Sequence, residues 1–204
     1  MKRRTLDIVF SFGGLALAGL LLILGLVMAN QANFAETYVK DQLGQQKITF
    51  TPVVGLTAEE KKATCLVDNA GKALLTGKQA ECYANEYIGL HVTEINDGKT
   101  YSQTSGEARA KKAEADAAKA SGAANAAVLA GESAALTGKT DALFRGETLR
   151  GLLLTSYGFS IFGERAGQAG FVAFAAALVL LLASLAGFAH AFTKQADHEI
   201  LSGK

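Results

Sequence analysis

Histidine is scarce in this chain: three in 204 residues, at positions 91, 190 and 198. A nucleophilic triad needs a base aligned on a Ser or Cys and oriented by a third group. An iron facial triad takes two His and a carboxylate, and catalytic zinc typically takes three protein ligands. His190 and His198 fall at or beyond the end of the second long apolar run, which leaves His91 alone in the polar middle. Cys65, Cys82 and His91 offer three metal ligands only if the two cysteines are not bonded to each other. No CxxC, HExxH, GxGxxG or Walker loop occurs. The formal charge is +1 and lysines are interleaved with acids, so no nucleic-acid surface is expected. The expectation is a non-enzymatic protein with no catalytic residue, cofactor or metal site.

Proline and cysteine are almost as rare, at one and two residues, and tryptophan is absent. Without proline, the alanine-rich stretch from Glu107 to Gly138 reads as helix rather than as a disordered low-complexity tract. Two cysteines allow one pairing. Cys65 and Cys82 are expected to form a disulfide in an oxidising compartment, worth about 3 kcal/mol for a loop of this size.

What the chain does have is two charge-free apolar runs, Ile8 to Ala29 and Gly170 to Phe192. Each is long enough, at about 1.5 Å per residue, to cross a hydrocarbon core of about 30 Å. The first resembles a signal peptide in its basic start, but its apolar run is longer than a signal core, so an uncleaved anchor is expected. Lys2, Arg3 and Arg4 precede the first span and Lys194 follows the second, which predicts that both termini are cytoplasmic; the bacterial plasma membrane as its location is what the resemblance described below implies. The expected fold class is mainly α. Two transmembrane helices flank a helical, disulfide-bridged extracytoplasmic domain with an alanine-rich helical hairpin.

By residue number, the expected organisation is a cytoplasmic N-terminus (1–7), a first span (8–29), a helical domain with the disulfide (30–106), the alanine-rich hairpin (107–145), an apolar juxtamembrane segment (146–169), a second span (170–192) and a cytoplasmic tail (193–204). Within the domain, Phe34, Tyr38 and Leu43 suggest a helix following the first span. "KITFTP" reads as a short edge strand or an extended connector. Thr57 and Glu60 make a capping-box pattern. Lys78 to Ile95 predicts a helix with Tyr83, Tyr87, Leu90 and His91 on one face and Glu81 and Glu86 elsewhere. Asn96-Asp97-Gly98 predicts a turn. Ser121-Gly122 predicts a turn between the two alanine-rich helices.

Small residues recur at three- and four-residue steps in both spans: Ser11, Gly14, Ala18, Gly25 and Ala29 in the first, and Ala166, Gly170, Ala173, Ala177, Ser184, Gly187 and Ala191 in the second. Such stripes let helix backbones approach closely; the partner is either the other span or a foreign helix. The run between Arg150 and Glu164 carries no charge and is apolar on nearly every side. Leu152, Leu153, Tyr157, Phe159 and Phe162 are its interface candidates, set either against lipid headgroups or against other protein.

Several blocks carry a family resemblance: "QLGQQKITF", "CLVDNAGKALLTGKQAECYANEYIGLH", "DGKTY" and "LFRGETLRGLLLTSYGFSIFGERAGQA". Together with the basic start and glycine-rich first span, they resemble a family of small actinobacterial membrane proteins. That family includes an accessory subunit of the cytochrome bcc–aa3 respiratory supercomplex. The resemblance implies a non-catalytic two-span subunit, held among membrane lipid and other integral subunits beside the redox core, with Cys65 and Cys82 as a structural bridge. Some relatives carry an aromatic-ring-opening dioxygenase label, and this chain lacks the histidines such chemistry requires. The alternative is an envelope protein whose outer domain binds a lipid or small ligand, or senses conditions for a separate partner. A deep apolar cavity lined by Tyr83, Tyr87 and Leu90 would favour it.

Overall fold

The computed structural model describes residues 2–192, so the expected tail at 193–204, with His198, lies outside the described residues. The described chain is mainly helical and contains no strand. Six α-helices account for most of it: α1 (Arg3–Gln45), α2 (Thr64–Asn69), α3 (Gly77–Cys82), α4 (Gly89–Glu94), α5 (Tyr101–Ser121) and α6 (Ala126–Ala191). A π-helical segment, Tyr83–Ile88, joins α3 to α4.

The helix after the first span is not a separate element. The first apolar run and the residues that follow it form one helix of 43 residues. Its buried face there is Ala35, Val39 and Leu43, while Phe34 and Tyr38 are exposed. Positions 35, 39 and 43 keep the four-residue step that brings side chains onto one helix face.

The alanine-rich stretch turns at Ser121-Gly122 as expected, but its second helix runs further than expected. α5 ends at Ser121, and Gly122 caps it in the left-handed conformation (φ 68°, ψ 25°), donating to the Ala118 and Lys119 carbonyls. The helix that follows does not stop at 145. α6 continues for 66 residues, through the juxtamembrane segment and the second apolar run, past Gly151, Gly158 and Gly163. An interior glycine costs about 1 kcal/mol relative to Ala but removes no hydrogen bond, and no proline is present to do so. The boundaries expected at 145/146 and 169/170 are therefore not marked by any interruption of the helix.

The chain divides into two compact units: one holds residues up to Thr37 together with those from Ile161, the other Tyr38–Ser160. In the first, α1 and α6 pack side by side through their small residues. Ser11 seats against Gly187, and Ser184 against Gly14. A Cβ added to Gly25 would stand 2.8 Å from the Phe174 ring, and one on Gly163 would stand 2.5 Å from Ala35 Cβ. Phe12 and Phe188 meet edge to face at 5.0 Å.

In the second unit, Leu43 of α1, Phe50, Leu56, Leu66, Leu74, Ile88, Val92, and Leu143 and Leu153 of α6 form one apolar core. "KITFTP" is an extended connector, not a strand. Thr49 makes an isolated antiparallel bridge with Ala73, and Phe50 donates to the Lys72 carbonyl at 2.9 Å. The Cys65–Cys82 bond is formed, with S–S 2.00 Å and Cα–Cα 6.1 Å, and ties α2 to α3.

Candidate functional surfaces

The capping box at Thr57 is made, but it serves a single 3-10 turn, Glu60–Lys62, rather than an α-helix. Thr57 N–H donates to Glu60 Oε2 at 2.7 Å, and Glu60 N–H donates to Thr57 Oγ1 at 3.2 Å. The Glu60 side chain is buried, and its Oε1 lies 3.3 Å from His91 Nε2. The hydrogen bond from the Thr57 backbone holds the Glu60 carboxyl below the usual glutamate range. The Thr57 hydroxyl and His91 add to that effect, and burial opposes it.

His91 ends an aromatic column. Phe50 meets Tyr83 at 5.2 Å, Tyr83 meets Tyr87 at 4.8 Å, and Tyr87 meets His91 at 4.5 Å. Three of the four residues expected on one face therefore share it. Leu90 does not. It turns into a groove that Glu86 also lines. The π segment explains this, because its i→i+5 bonding widens the turn and sets each side chain more nearly over the one four residues before. Tyr83 and Tyr87 pack against the core. Burial pushes the Tyr83 hydroxyl up from its ordinary range. Among the described residues, no group of three or more His, Cys, Asp and Glu is placed to hold a metal ion.

At Asn96-Asp97-Gly98 the turn is left-handed at all three residues, with φ of 51°, 56° and 76°. Two non-glycine residues in that region cost energy that the surroundings must offset. The buried Asn96 amide does so: its Nδ2 donates to Thr104 Oγ1 and Glu107 Oε2, each at 3.1 Å. Lys139 Nζ of α6 donates to its Oδ1 at 3.0 Å. The sequence signalled the turn; its three partners, 8, 11 and 43 positions further on, carried no local sign.

The small residues expected to pack helices are placed as follows. Ala18, Gly25, Gly170, Ala173, Ala177 and Ser184 are buried, while Gly14 and Gly187 are half-buried. Contacts of Gly14, Gly25, Gly170 and Gly187 run between α1 and α6, so both stripes face each other. The large apolar side chains of the same helices point away. In their most hydrophobic stretches only 11% and 17% of residues are buried. The core helix of a water-soluble protein is mostly buried, and these two are not. At one end of the pair, His190 Nδ1 lies 3.0 Å from Asp7 Oδ2, and Arg3 donates to the His190 carbonyl at 3.1 Å.

The five interface candidates separate. Leu153 is buried in the core of the Tyr38–Ser160 unit, and Leu154 packs against it. Tyr157 is half-buried, its hydroxyl accepting from Lys78 Nζ at 3.1 Å. Leu152, Phe159 and Phe162 remain exposed, as do Phe144 and Leu149 of the same helix. Phe159 meets Tyr38 edge to face at 5.8 Å.

Set against protein-family models, curated proteins and solved structures, the chain matches none of them.

Proposed function

We propose that this chain is a two-span integral membrane protein that works as a non-catalytic accessory subunit, docking onto a larger membrane complex through α6. Its helical, disulfide-bridged unit stands outside the cytoplasm, and the first and last described residues lie on the cytoplasmic side. The small residues of the two spans are used up in packing on each other, and their large apolar side chains remain outward, as lipid contact requires. The same packing supports an uncleaved first span. Basic residues before the first span and the placement of the disulfide support the orientation.

One observation carries the docking surface: α6 stays apolar and exposed far from the second span. Phe144, Leu152 and Phe159 lie within about 80° of one another around the helix, by the 100° step of 3.6 residues per turn. Leu152 precedes Gly170 by 18 residues, about 27 Å of helix. The headgroup layer adds only about 7 Å beyond each side of the hydrocarbon. Phe162, eight residues before Gly170, is near that layer; Leu152 and Phe144 are beyond it unless the helix tilts steeply. Exposed aromatic and aliphatic side chains gathered on one face out of reach of lipid mark a protein–protein contact surface. The resemblance to actinobacterial supercomplex subunits names the partner: the cytochrome bcc and aa3 oxidase subunits.

Gentle detergent extraction followed by affinity capture tests this. The oxidase and bcc subunits should be recovered with the wild type and lost with a Leu152→Ser, Phe159→Ser double variant that still inserts in the membrane. Recovery of the wild-type chain alone would overturn the reading. The competing ligand-binding reading asked for a deep apolar cavity lined by Tyr83, Tyr87 and Leu90. The two tyrosines instead pack into the core, and Leu90 faces a polar groove.

A further inference from the structure

α1 and α6 pack on a seven-residue repeat. In α6, Gly163, Gly170, Ala177, Ser184 and Ala191 follow one another at that interval, and all are buried. Ser11, Ala18 and Gly25 of α1 are buried at the same interval. The contacts run antiparallel, from Ser11 with Gly187 at one end to Ala35 with Gly163 at the other. A sustained seven-residue repeat is the pattern of helices wound as a coiled coil, and it marks a seam along each helix.

The seam of α6 runs on where α1 does not follow. Counted back by sevens, Gly163 leads to Ser156 and Leu149, and Ala173 and Ala166 lead to Phe159, Leu152 and Arg145. Tyr38 of α1 reaches Phe159. Beyond it α1 turns away, because Val39 and Leu43 enter the apolar core around Leu143 and Leu153, which lies on another side of α6. Arg145, Leu149 and Leu152 are exposed, and Ser156 is half-buried. From Arg145 to Ser156 the seam continues for about 17 Å, and among the described residues no helix is laid along it.

We propose that this uncovered length is filled by an amphipathic helix of the partner complex, about three turns long, which continues the seam and sets an acidic residue against Arg145. Continuity with the α1–α6 packing argues for a helix. Positions three and four apart meet another helix in that register, whereas a strand presents every second residue. Ser156 keeps the middle of the seam narrow, as the Gly, Ala and Ser residues do between Gly163 and Ala191. Arg145 has no hydrogen bond or ion pair among the described residues, so an acid on the incoming helix supplies its counter-charge. A second copy of this chain fits badly. Across a two-fold axis each Arg145 would face its own equivalent, and like charges so placed repel. The inference rests on the docking function proposed above and specifies what form of partner that surface takes.

The full chain is produced in its native membrane with photoreactive benzoyl-phenylalanine replacing Arg145, Leu149 or Leu152 in turn. Glu147 and Gly151, exposed but off the seam, are the control positions. After irradiation, crosslinks to one protein should be several-fold stronger from the three seam positions than from the two controls. Mass spectrometry should place the joined residues three or four apart within one segment of that protein. R145E should reduce the crosslink from position 152 about threefold or more, as loss of an exposed charge pair and its reversal to repulsion imply. Equal crosslinking at seam and control positions, or joined residues two apart or scattered over several segments, would overturn the proposal. So would a second copy of this chain as the joined protein, crosslinks to lipid alone or none, or a position-152 crosslink that R145E leaves unchanged. The two readings fail separately. The expected spacing on a protein other than the bcc and oxidase subunits would keep the helix and overturn the named complex. Joining of those subunits without the spacing would keep the docking function and overturn the helix.

Discussion

Leu152 and Leu153 are neighbours in α6, yet Leu152 is 62% exposed and Leu153 only 3%. Successive helix residues are about 100° apart, so one faces the core beside Leu143 while the other faces out. Leu153→Ala should destabilise the protein by about 2–5 kcal/mol, and Leu152→Ala by less than about 0.5 kcal/mol. Thermal melts of the two variants in the same detergent check this. Equal melting points would mean that α6 is not seated on the core in this rotation.

Span packing makes a second prediction. Ser184 seats against Gly14, so Gly14→Leu leaves no room for the side chain and should cost about 1–3 kcal/mol. Gly13 has open space beside it, and Gly13→Leu should be tolerated. The measurement is crosslinking between cysteines placed at Ser11 and Gly187 in native membranes. It should be efficient with Gly13→Leu and poor with Gly14→Leu.

Reducing or removing the Cys65–Cys82 bond opens a loop of 17-residue separation. The chain-entropy model puts the loss at about 3 kcal/mol. A Cys65→Ala, Cys82→Ala double variant should melt lower than the wild type, and a reductant should lower the wild type to match. Free thiols in protein from intact cells would remove both the bond and the outward placement argued from it.

The Glu60 carboxyl sits below its ordinary value, so the folded state binds its proton less readily than the unfolded state. Its contribution is therefore complete above the unfolded value of about 4.3 and is lost as pH falls through the lower folded value. Denaturation between pH 6 and pH 3 should show wild-type stability declining at the acid end. E60Q should start about 1–3 kcal/mol lower, from the broken contacts to Thr57 and His91, and decline less. A parallel decline in both would assign the acid sensitivity elsewhere.

How much of this was legible in the sequence follows from the range of each interaction. The capping box, the left-handed turn and the Gly122 cap are built within a few residues, and their signals lie in those residues. The apolar runs announce themselves, because burying about 20 consecutive apolar residues in lipid needs no knowledge of the rest of the chain. The continuity of α6 was not legible, since the segment limits at 145/146 and 169/170 followed changes in composition, and a change in composition does not interrupt a helix. The spacing of Phe34, Tyr38 and Leu43 announced a helix there but not which of its faces is buried, and the buried face is Ala35, Val39 and Leu43.

Length, hydropathy and local hydrogen-bonding chemistry alone determine the two apolar helices, the single possible disulfide pairing and the turns of this protein. The tertiary structure decided the rest: that the small-residue stripes of α1 and α6 face each other, that Leu153 rather than Leu152 joins the core, and that Arg150 and Glu86, 64 positions apart in the chain, line one groove. Each is a relation between residues far apart in sequence. Such relations are set by which apolar faces bury the most area together, and no local pattern encodes them.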